Sequence, residues 1–176
     1  MILIIKTNKE KLHDLEFVKP IEEIVQKKFI TKHYSQVKKE DLKKAEKIII
    51  CGTSLKDNKF IEDIKEFGWI KEFDKPILGI CAGMQIIGLL FGGKLKKKKE
   101  IGFYRETFTK EFLGLKGEQK VYHLHNNYVS FPSEFESFAE SEGIVQAVKH
   151  KNKEIYGVLF HPEVRQKNLI REFVKL

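Results

Sequence analysis

Cys81 stands in a segment whose residue types and spacing are typical of a catalytic nucleophile. The segment Pro76–Gly93 reads P-I-L-G-I-C-A-G-M-Q-I-I-G-L-L-F-G-G, and it places Cys81 between Gly79 and Gly83. A nucleophile at a sharp strand-to-helix turn has a strained backbone, and side chains two residues away from it would collide. Amide N–H groups at the start of the helix can lower the pKa of the thiol and stabilise an oxyanion. The segment therefore predicts a nucleophile, although a buried structural cysteine is the simpler alternative.

His161 is the candidate base for this thiol. It follows the strand-like run I-Y-G-V-L-F and stands in the tetrapeptide F-H-P-E, with Glu163 two residues further on. A carboxylate in that position can hold the orientation and the tautomer of an imidazole, as the third member of a Cys-His-acid set. Taken alone, H-P-E is also compatible with a structural histidine at the end of a strand, so the prediction of a triad depends on both segments.

The two segments together resemble those of the class I (triad-type) glutamine amidotransferases. The similarity lies in G-I-C-A-G-M-Q and G-V-L-F-H-P-E, extends over most of the chain, and is closest to the glutaminase subunits of two-subunit GMP synthases. It implies hydrolysis of glutamine to glutamate and ammonia, with Cys81 as nucleophile, His161 as general base and acid, and Glu163 as the orienting carboxylate. It also implies that no metal and no organic cofactor is needed. The chain has no G-x-x-x-x-G-K-[ST] loop for phosphates, so we expect an ATP-dependent synthetase partner to use the ammonia.

The same resemblance assigns residues to the oxyanion and to the substrate. Backbone N–H groups of Ala82 and of the loop at Gly52 and Thr53 would face the oxyanion. Gln85 matches a glutamine that contacts the substrate, although it is also compatible with a partly buried helix residue. The segment Leu124–Val129 occupies the place of a loop that grips the amino-acid end of glutamine. The candidates in that loop, which are equally compatible with ordinary turn residues, are His125, Asn126 and Asn127.

The loop at Cys51–Ser54 departs from the family's pattern. It reads C-G-T-S, where the family usually has S-G-G-P. One glycine fewer restricts the peptide orientation that an oxyanion needs, so we expect slow hydrolysis by the chain alone and a partner that completes the site. In addition, Ala82 replaces a common leucine, Leu159 replaces a common glutamine, and Asn127 stands where synthase-type members often have an aspartate.

Short apolar runs that alternate with amphipathic segments indicate the elements that position these residues. The first half of the chain predicts strands over Ile2–Lys6, Phe29–Tyr34, Lys47–Cys51 and Pro76–Ile80, and helices over Ile21–Lys28, Glu40–Ala45, Asn58–Phe73 and Ala82–Phe91. The second half predicts strands over Phe103–Thr109, Val121–Leu124, Phe135–Ala139, Val145–Lys149 and Ile155–Phe160, and a last helix over Asn168–Lys175. The pattern predicts a single α/β domain over residues 1–176, with a mostly parallel central sheet, helices on both faces and a strand-rich second half. The resemblance implies a flavodoxin-like fold of the class I glutamine amidotransferase type.

Composition excludes several other classes of protein. A chain of 176 residues with 41% hydrophobic and 33% charged residues suits a folded domain rather than a disordered one. No apolar run approaches the roughly 18 residues that a membrane span needs, and the first residues carry no basic leader, so we expect neither a membrane partner nor a signal peptide. Two cysteines are too few for a disulfide framework or a four-cysteine zinc site. We therefore expect a cytoplasmic protein, and the abundance of Lys and Glu also fits a thermophile.

The basic charge does not by itself predict binding to nucleic acid. The formal net charge is +8, but Arg105, Arg165 and Arg171 are the only arginines. Proteins that read nucleic acid usually depend on arginine forks, so we expect no nucleic-acid partner. The run Lys96–Lys99 is the densest basic patch and is most simply a solvated face.

Three alternatives to a glutaminase remain at this point. The first is a hydrolase of the same fold that acts on γ-glutamyl compounds or peptides and needs no synthetase. The second is a regulatory module without catalytic activity, which the altered loop at Cys51–Ser54 would suit. The third is a nucleic-acid binder, which would require salt-sensitive binding.

Overall fold

Nine strands form one sheet in a computed structural model that describes residues 1–176. The strands are β1 (Ile2–Lys6), β2 (Phe29–His33), β3 (Lys47–Ile50), β4 (Ile77–Ile80), β5 (Leu95–Phe112), β6 (Leu115–Val129), β7 (Phe135–Ser141), β8 (Ile144–His150) and β9 (Ile155–Val158). Their order across the sheet is β2-β1-β3-β4-β9-β8-β7-β5-β6. The first five strands in that order are parallel, and each of the remaining pairs is antiparallel. The predicted α/β class is confirmed, and the strand-rich second half continues the same sheet.

Helices cover both faces of the parallel strands. The α-helices are α1 (Asp14–Phe17), α2 (Lys19–Val25), α3 (Lys39–Lys44), α4 (Lys59–Glu62), α5 (Ala82–Leu90) and α6 (Lys167–Lys175). Successive side chains of a strand point to opposite faces, and in β1 Ile2 and Ile4 pack with α2 and α6, while Leu3 and Ile5 pack with α5. Because both faces are buried, β1, β3 and β4 are continuous apolar runs rather than alternating ones.

The predicted helix over Asn58–Phe73 is wrong in its form. The structure has the single turn of α4, followed by a 3₁₀-helix over Ile64–Lys71. The apolar residues Ile64, Phe67 and Ile70 are spaced by three, which is the period of a 3₁₀-helix, so this winding turns all three toward one side. Phe67 and Ile70 are completely buried there.

The strands β5 and β6 form a hairpin that is much longer than the sequence predicted. The two-residue turn at Leu113 and Gly114 has φ values of 47° and 80°, as a hairpin turn that matches the twist of the strands requires. The segment Leu124–Val129, expected as a loop, is the last part of β6. The run Lys96–Lys99 lies on β5 and is largely exposed, as expected of a solvated face. No helix of the structure is long and apolar enough to cross a membrane.

Candidate active site

Four chain segments converge at the carboxyl edge of the parallel strands. Thr7 follows β1, Cys51 follows β3, Cys81 follows β4, and His161 stands three residues after the end of β9. These strands are neighbours in the order β1-β3-β4-β9, so their ends meet at one edge. Open α/β sheets bind their ligands at this edge.

Cys81 forms a strained turn between β4 and α5. Its backbone has φ 49° and ψ −100°, a conformation that residues with a Cβ rarely adopt. Its N–H donates a hydrogen bond to the carbonyl of Val158 on β9 (2.8 Å), and its carbonyl accepts one from the N–H of Gln85 on α5 (3.0 Å). The sheet and the helix therefore hold the turn from both sides.

The glycines on either side of Cys81 are required by close backbone contacts. A Cβ on Gly79 would lie 2.6 Å from the carbonyl atoms of Gly83, and a Cβ on Gly83 would lie 2.4 Å from the carbonyl oxygen of Ile50. Both distances are shorter than any real Cβ contact, so a side chain at Gly79 would force β4 and α5 apart, and one at Gly83 would force α5 away from β3. The collision that the sequence predicted at these positions is confirmed.

His161 and Glu163 form a buried pair. Nδ1 of His161 lies 2.7 Å from Oε1 of Glu163, and the two side chains are each 1% exposed. The backbone N–H of His161 donates a hydrogen bond to the carbonyl of Tyr122 (2.8 Å). The ring of Phe17 packs against the imidazole, with 5.4 Å between the two ring centroids. Burial opposes the charged imidazolium, but Glu163 and Cys81 outweigh it and raise the pKa of His161 well above its usual 6.5.

The backbone at Gly52 lies against both the imidazole of His161 and the side chain of Cys81. A Cβ on Gly52 would lie 2.6 Å from Cε1 of His161 and 3.4 Å from Cβ of Cys81, so this backbone touches both catalytic candidates. The thiol of Cys81 donates a hydrogen bond to the carbonyl of Leu124 (3.7 Å), and Nε2 of His161 has no hydrogen-bond partner. The ring therefore has one nitrogen bound to a carboxylate and the other free for a thiol or a substrate.

Thr7 fixes the loop that was expected to stabilise the oxyanion. Its hydroxyl lies within hydrogen-bond distance of the carbonyls of Cys51 (3.2 Å) and Gly52 (3.1 Å). A peptide's N–H points opposite to its C=O, so the N–H of Thr53 points away from Thr7. The hydroxyl of Thr53 donates to Asp57 (3.2 Å), which anchors the next part of the loop. Sequence reasoning missed Thr7, although its position directly after the first strand places it at this edge.

A small cleft of about 20 Å³, room for about one water molecule, lies beside Cys81, between the loop at residues 53–58, the start of α5 and the end of β6. Two hydrogen bonds bridge it. Nδ2 of Asn126 donates to the carbonyl of Leu55 (2.9 Å), and Nδ2 of Asn127 donates to Oδ1 of Asn58 (3.3 Å). Nε2 of Gln85 donates to the carbonyl of Asn127 (3.0 Å). The bridges join the two walls of the cleft.

Most of the candidates from the sequence meet in this region. The residues that line the cleft include Thr53, Cys81, Ala82, Gln85, His125, Asn126 and Asn127. Asn126 and Asn127 belong to a strand rather than to a turn. His125 also lines the cleft, but its Nε2 faces Glu100 (3.0 Å) and His123 (3.1 Å) instead. Sequence reasoning missed Glu100 and His123.

Comparison with known proteins gives matches of sequence and of fold. Residues 16–175 match the family model for glutamine amidotransferase class-I. The chain is 38% identical, over 136 residues, to a glutamine-hydrolyzing GMP synthase subunit of Pyrococcus abyssi, with 71% of each chain covered. It is 39% identical over 110 residues to the glutamine-hydrolyzing GMP synthase of Staphylococcus epidermidis, where the match covers 57% of this chain but only 21% of the relative's length.

The fold also matches solved structures. A putative GMP synthase subunit from Thermoplasma acidophilum superimposes with a TM-score of 0.85 at 24% identity, over 99% of this chain and 93% of the other. At this identity the likeness concerns the fold alone.

Proposed function

The chain belongs to the class I glutamine amidotransferase family, and from this membership we propose that it hydrolyses the side-chain amide of glutamine to glutamate and ammonia. The observation that carries the proposal is the geometry around Cys81: a nucleophile turn at positive φ, next to an imidazole whose other nitrogen is bound to Glu163. We further propose that the ammonia passes to the ATP-dependent synthetase subunit of a GMP synthase, because the relatives carry that name.

In the first half of the reaction, the thiolate of Cys81 attacks the side-chain carbonyl carbon of glutamine. A C–S bond forms, and the carbonyl π electrons move onto the oxygen. The N–H of Ala82, in the first turn of α5, has no partner within the helix and can donate to that oxyanion, as can the N–H of Thr53. The imidazolium of His161 then gives its proton to the amide nitrogen, the C–N bond breaks, and ammonia leaves a glutamyl thioester.

In the second half, neutral His161 takes a proton from a water molecule as the water attacks the thioester. The second tetrahedral intermediate collapses with cleavage of the C–S bond, glutamate leaves, and the thiolate and the imidazolium are restored. Glu163 accepts the Nδ1–H of His161 (2.7 Å), which directs Nε2 toward the reacting atoms in both halves. The raised pKa of His161 favours the imidazolium that the first half requires.

We propose that the amino-acid end of glutamine binds between Gln85 and the end of β6, at His125, Asn126 and Asn127. The bridges from Asn126 to Leu55 and from Asn127 to Asn58 cross this part of the cleft, so they must open for glutamine to enter. Thr7 holds the carbonyls of the neighbouring loop. A synthetase that binds the open form better than the closed form would shift the equilibrium and raise the rate.

The geometry gives less support to the alternatives. Two asparagine bridges close the cleft beside Cys81, and a small amide requires a smaller opening than a peptide does. A regulatory module would have no need for a buried His161–Glu163 pair. The exposed Lys98 forms an ion pair with Glu142, which weakens the basic run as a surface for nucleic acid.

The test is glutamate release from glutamine by the chain alone and by the chain mixed with the synthetase subunit of a GMP synthase and its nucleotides. The variant Cys81→Ala should lower turnover by at least about 10⁴-fold, since it removes the nucleophile. The matched control Cys51→Ala should stay within about tenfold of the wild type, because its small apolar site accepts alanine. The isolated chain should be slower than the complex, because the bridges that close the cleft must open before glutamine enters.

Each arm of this experiment has its own contradicting result. Turnover by Cys81→Ala at the wild-type rate would overturn the proposed chemistry. Full-rate hydrolysis by the isolated chain would overturn only the coupling to a synthetase. Faster cleavage of a γ-glutamyl peptide than of glutamine would replace the proposed substrate.

A further inference from the structure

A second cluster of histidines and carboxylates is buried at the base of the β5–β6 hairpin. His123 and His125 are two residues apart on β6, so their side chains project to the same face. A register shift in β5 between Lys97 and Glu100 brings Glu100 directly opposite His125. The three side chains are at most 8% exposed. The proposed glutamine chemistry uses neither Glu100 nor His123.

We propose that Glu100, His123 and His125 bind one divalent transition-metal cation of the zinc class. Three donor atoms converge: Oε2 of Glu100, Nδ1 of His123 and Nε2 of His125. Their separations are 3.0, 3.1 and 3.6 Å. Ligands at about 2.0–2.1 Å in tetrahedral array around zinc lie about 3.3 Å apart. The triangle therefore has the size that such an ion requires, without movement of the backbone.

The outer nitrogen of His123 has the partner that metal-binding histidines usually have. Its Nε2 lies 3.2 Å from Oε1 of Glu106, which is 2% exposed. A carboxylate that accepts this N–H leaves a lone pair on Nδ1, directed at Glu100 and His125. Glu106, His123 and the candidate metal position thus form the carboxylate–histidine–metal arrangement that is usual for such sites.

The charges and the unpartnered atoms of the cluster also suit a cation. The only basic side chains within 4 Å of the carboxylates of Glu100 and Glu106 are histidines. Oε2 of Glu100 and both side-chain polar atoms of the completely buried Gln146 make no hydrogen bond. A divalent cation would compensate both carboxylates and satisfy the free oxygen of Glu100.

The ligand set indicates the kind of ion and its effect. Two imidazoles and one carboxylate suit Zn²⁺ and its first-row neighbours rather than Ca²⁺ or Mg²⁺, which prefer oxygen. Leu124 lies between the two histidines, and its carbonyl accepts the hydrogen bond from the thiol of Cys81. The ion would join β5 to β6 next to this contact and so stiffen the strand that faces the nucleophile.

The first experiment needs no variant of the site. The full chain is treated with a chelator, dialysed, and titrated with ZnCl₂ and separately with CoCl₂. We expect one equivalent of either ion per chain, a rise in the melting temperature on addition of zinc, and a cobalt spectrum without a thiolate-to-metal band. The variant Cys81→Ala should bind the same amount of metal. Binding that disappears in Cys81→Ala, or no binding above that of the buffer, would overturn the proposal.

Variants of the cluster then locate the ion. Glu100→Gln and His123→Gln each remove a ligand and should weaken binding by more than about 100-fold, while Glu106→Gln removes only the outer carboxylate and should weaken it by about 10–100-fold. His33→Gln, a change at a partly exposed histidine remote from the cluster, is the matched control and should bind as the wild type does. Equal loss in His33→Gln, or wild-type affinity in folded Glu100→Gln, would assign the ion elsewhere.

Discussion

The two cysteines follow neighbouring strands of the same sheet and are both buried, yet the groups next to their thiols differ. Cys51 follows β3 and Cys81 follows β4, and they are 0% and 3% exposed. Cys51 has no glycine two residues before it: that position is Ile49, part of the buried core. Burial raises the pKa of the Cys51 thiol well above its usual 9.0. Cys81 instead begins α5 and lies beside the imidazole of His161.

Burial alone therefore does not decide what a cysteine does. Both thiols are shielded from bulk water, but only Cys81 has a partner that becomes a cation and a helix N-terminus next to it. At Cys81, the backbone conformation with φ 49° lets the chain turn sharply from the end of β4 into α5. The proposed glutamine chemistry depends on that conformation.

The two buried histidines with carboxylate partners differ in the same way. In each, one ring nitrogen faces a glutamate: Glu163 for His161 and Glu106 for His123. The other nitrogen of His161 is next to the thiol of Cys81, which lines the cleft, whereas that of His123 faces Glu100 and His125. Residues of the same type therefore suit proton transfer in one place and metal binding in the other.

The largest difference should appear in alkylation. Under limiting iodoacetamide near neutral pH, Cys81 should be modified at least about 100 times faster than Cys51, because Cys81 lies beside the imidazole of His161 and lines a cleft, whereas Cys51 is completely buried and its thiol pKa is raised. Peptide mass mapping measures both rates in one sample. Cys51→Ala should leave the labelling of Cys81 unchanged. Preferential labelling of Cys51 would contradict the contrast between the two thiols.

A smaller effect should come from adding a methyl group at the turn around Cys81. Gly79→Ala places a Cβ 2.6 Å from the backbone of Gly83, and we expect it to lower the free energy of unfolding by at least about 2 kcal/mol. Gly68→Ala is the matched control, since a Cβ there meets nothing within 4 Å. It should be neutral or stabilise by about 0.5–1 kcal/mol. Urea denaturation measures both, and equal effects would contradict the steric account of the turn.

The smallest effect concerns pH. The folded-state pKa of His161 is raised, so its contribution to stability is complete below pH 6.5 and is lost as the pH rises through the folded value. The pKa of Cys51 is also raised, so its contribution declines only above pH 9.0. Each group can change the free energy of unfolding by at most about 1.4 kcal/mol per pH unit.

Urea denaturation of two variants at a series of pH values separates the pH range in which His161 loses its contribution to stability from the range in which Cys51 loses its own. Glu163→Gln, which removes the carboxylate that stabilises the imidazolium, should flatten the decline that begins near neutral pH. Cys51→Ala should flatten the alkaline decline alone. A near-neutral decline that persists unchanged in Glu163→Gln would show that another group causes it.

Much of the candidate site was predictable because it is local in the sequence. The glycines at 79 and 83 and the apolar run before Cys81 specify a strand-to-helix turn within a few residues, and F-H-P-E places Glu163 within reach of His161. The alternation of strands and helices is also a pattern of neighbouring segments, and it was sufficient to predict the parallel sheet. The pairing of Cys81 with His161, 80 positions apart, was inferred from the resemblance and is compatible with their meeting at one edge of the sheet.

Other features depended on partners that are remote along the chain, and the tertiary structure decided them. Leu124–Val129 carries polar residues typical of a turn, but pairing with β5 makes it a strand. The segment after Asn58 has a helical pattern, but packing of Ile64, Phe67 and Ile70 against the core favours 3₁₀ winding. The sequence by itself determined the nucleophile turn, the histidine–glutamate pair and the α/β order, because these follow from neighbouring residues. Only the fold brought Thr7 to the loop at Gly52 and Glu100 to His125, because a register shift and the meeting of strand ends arise from long-range packing.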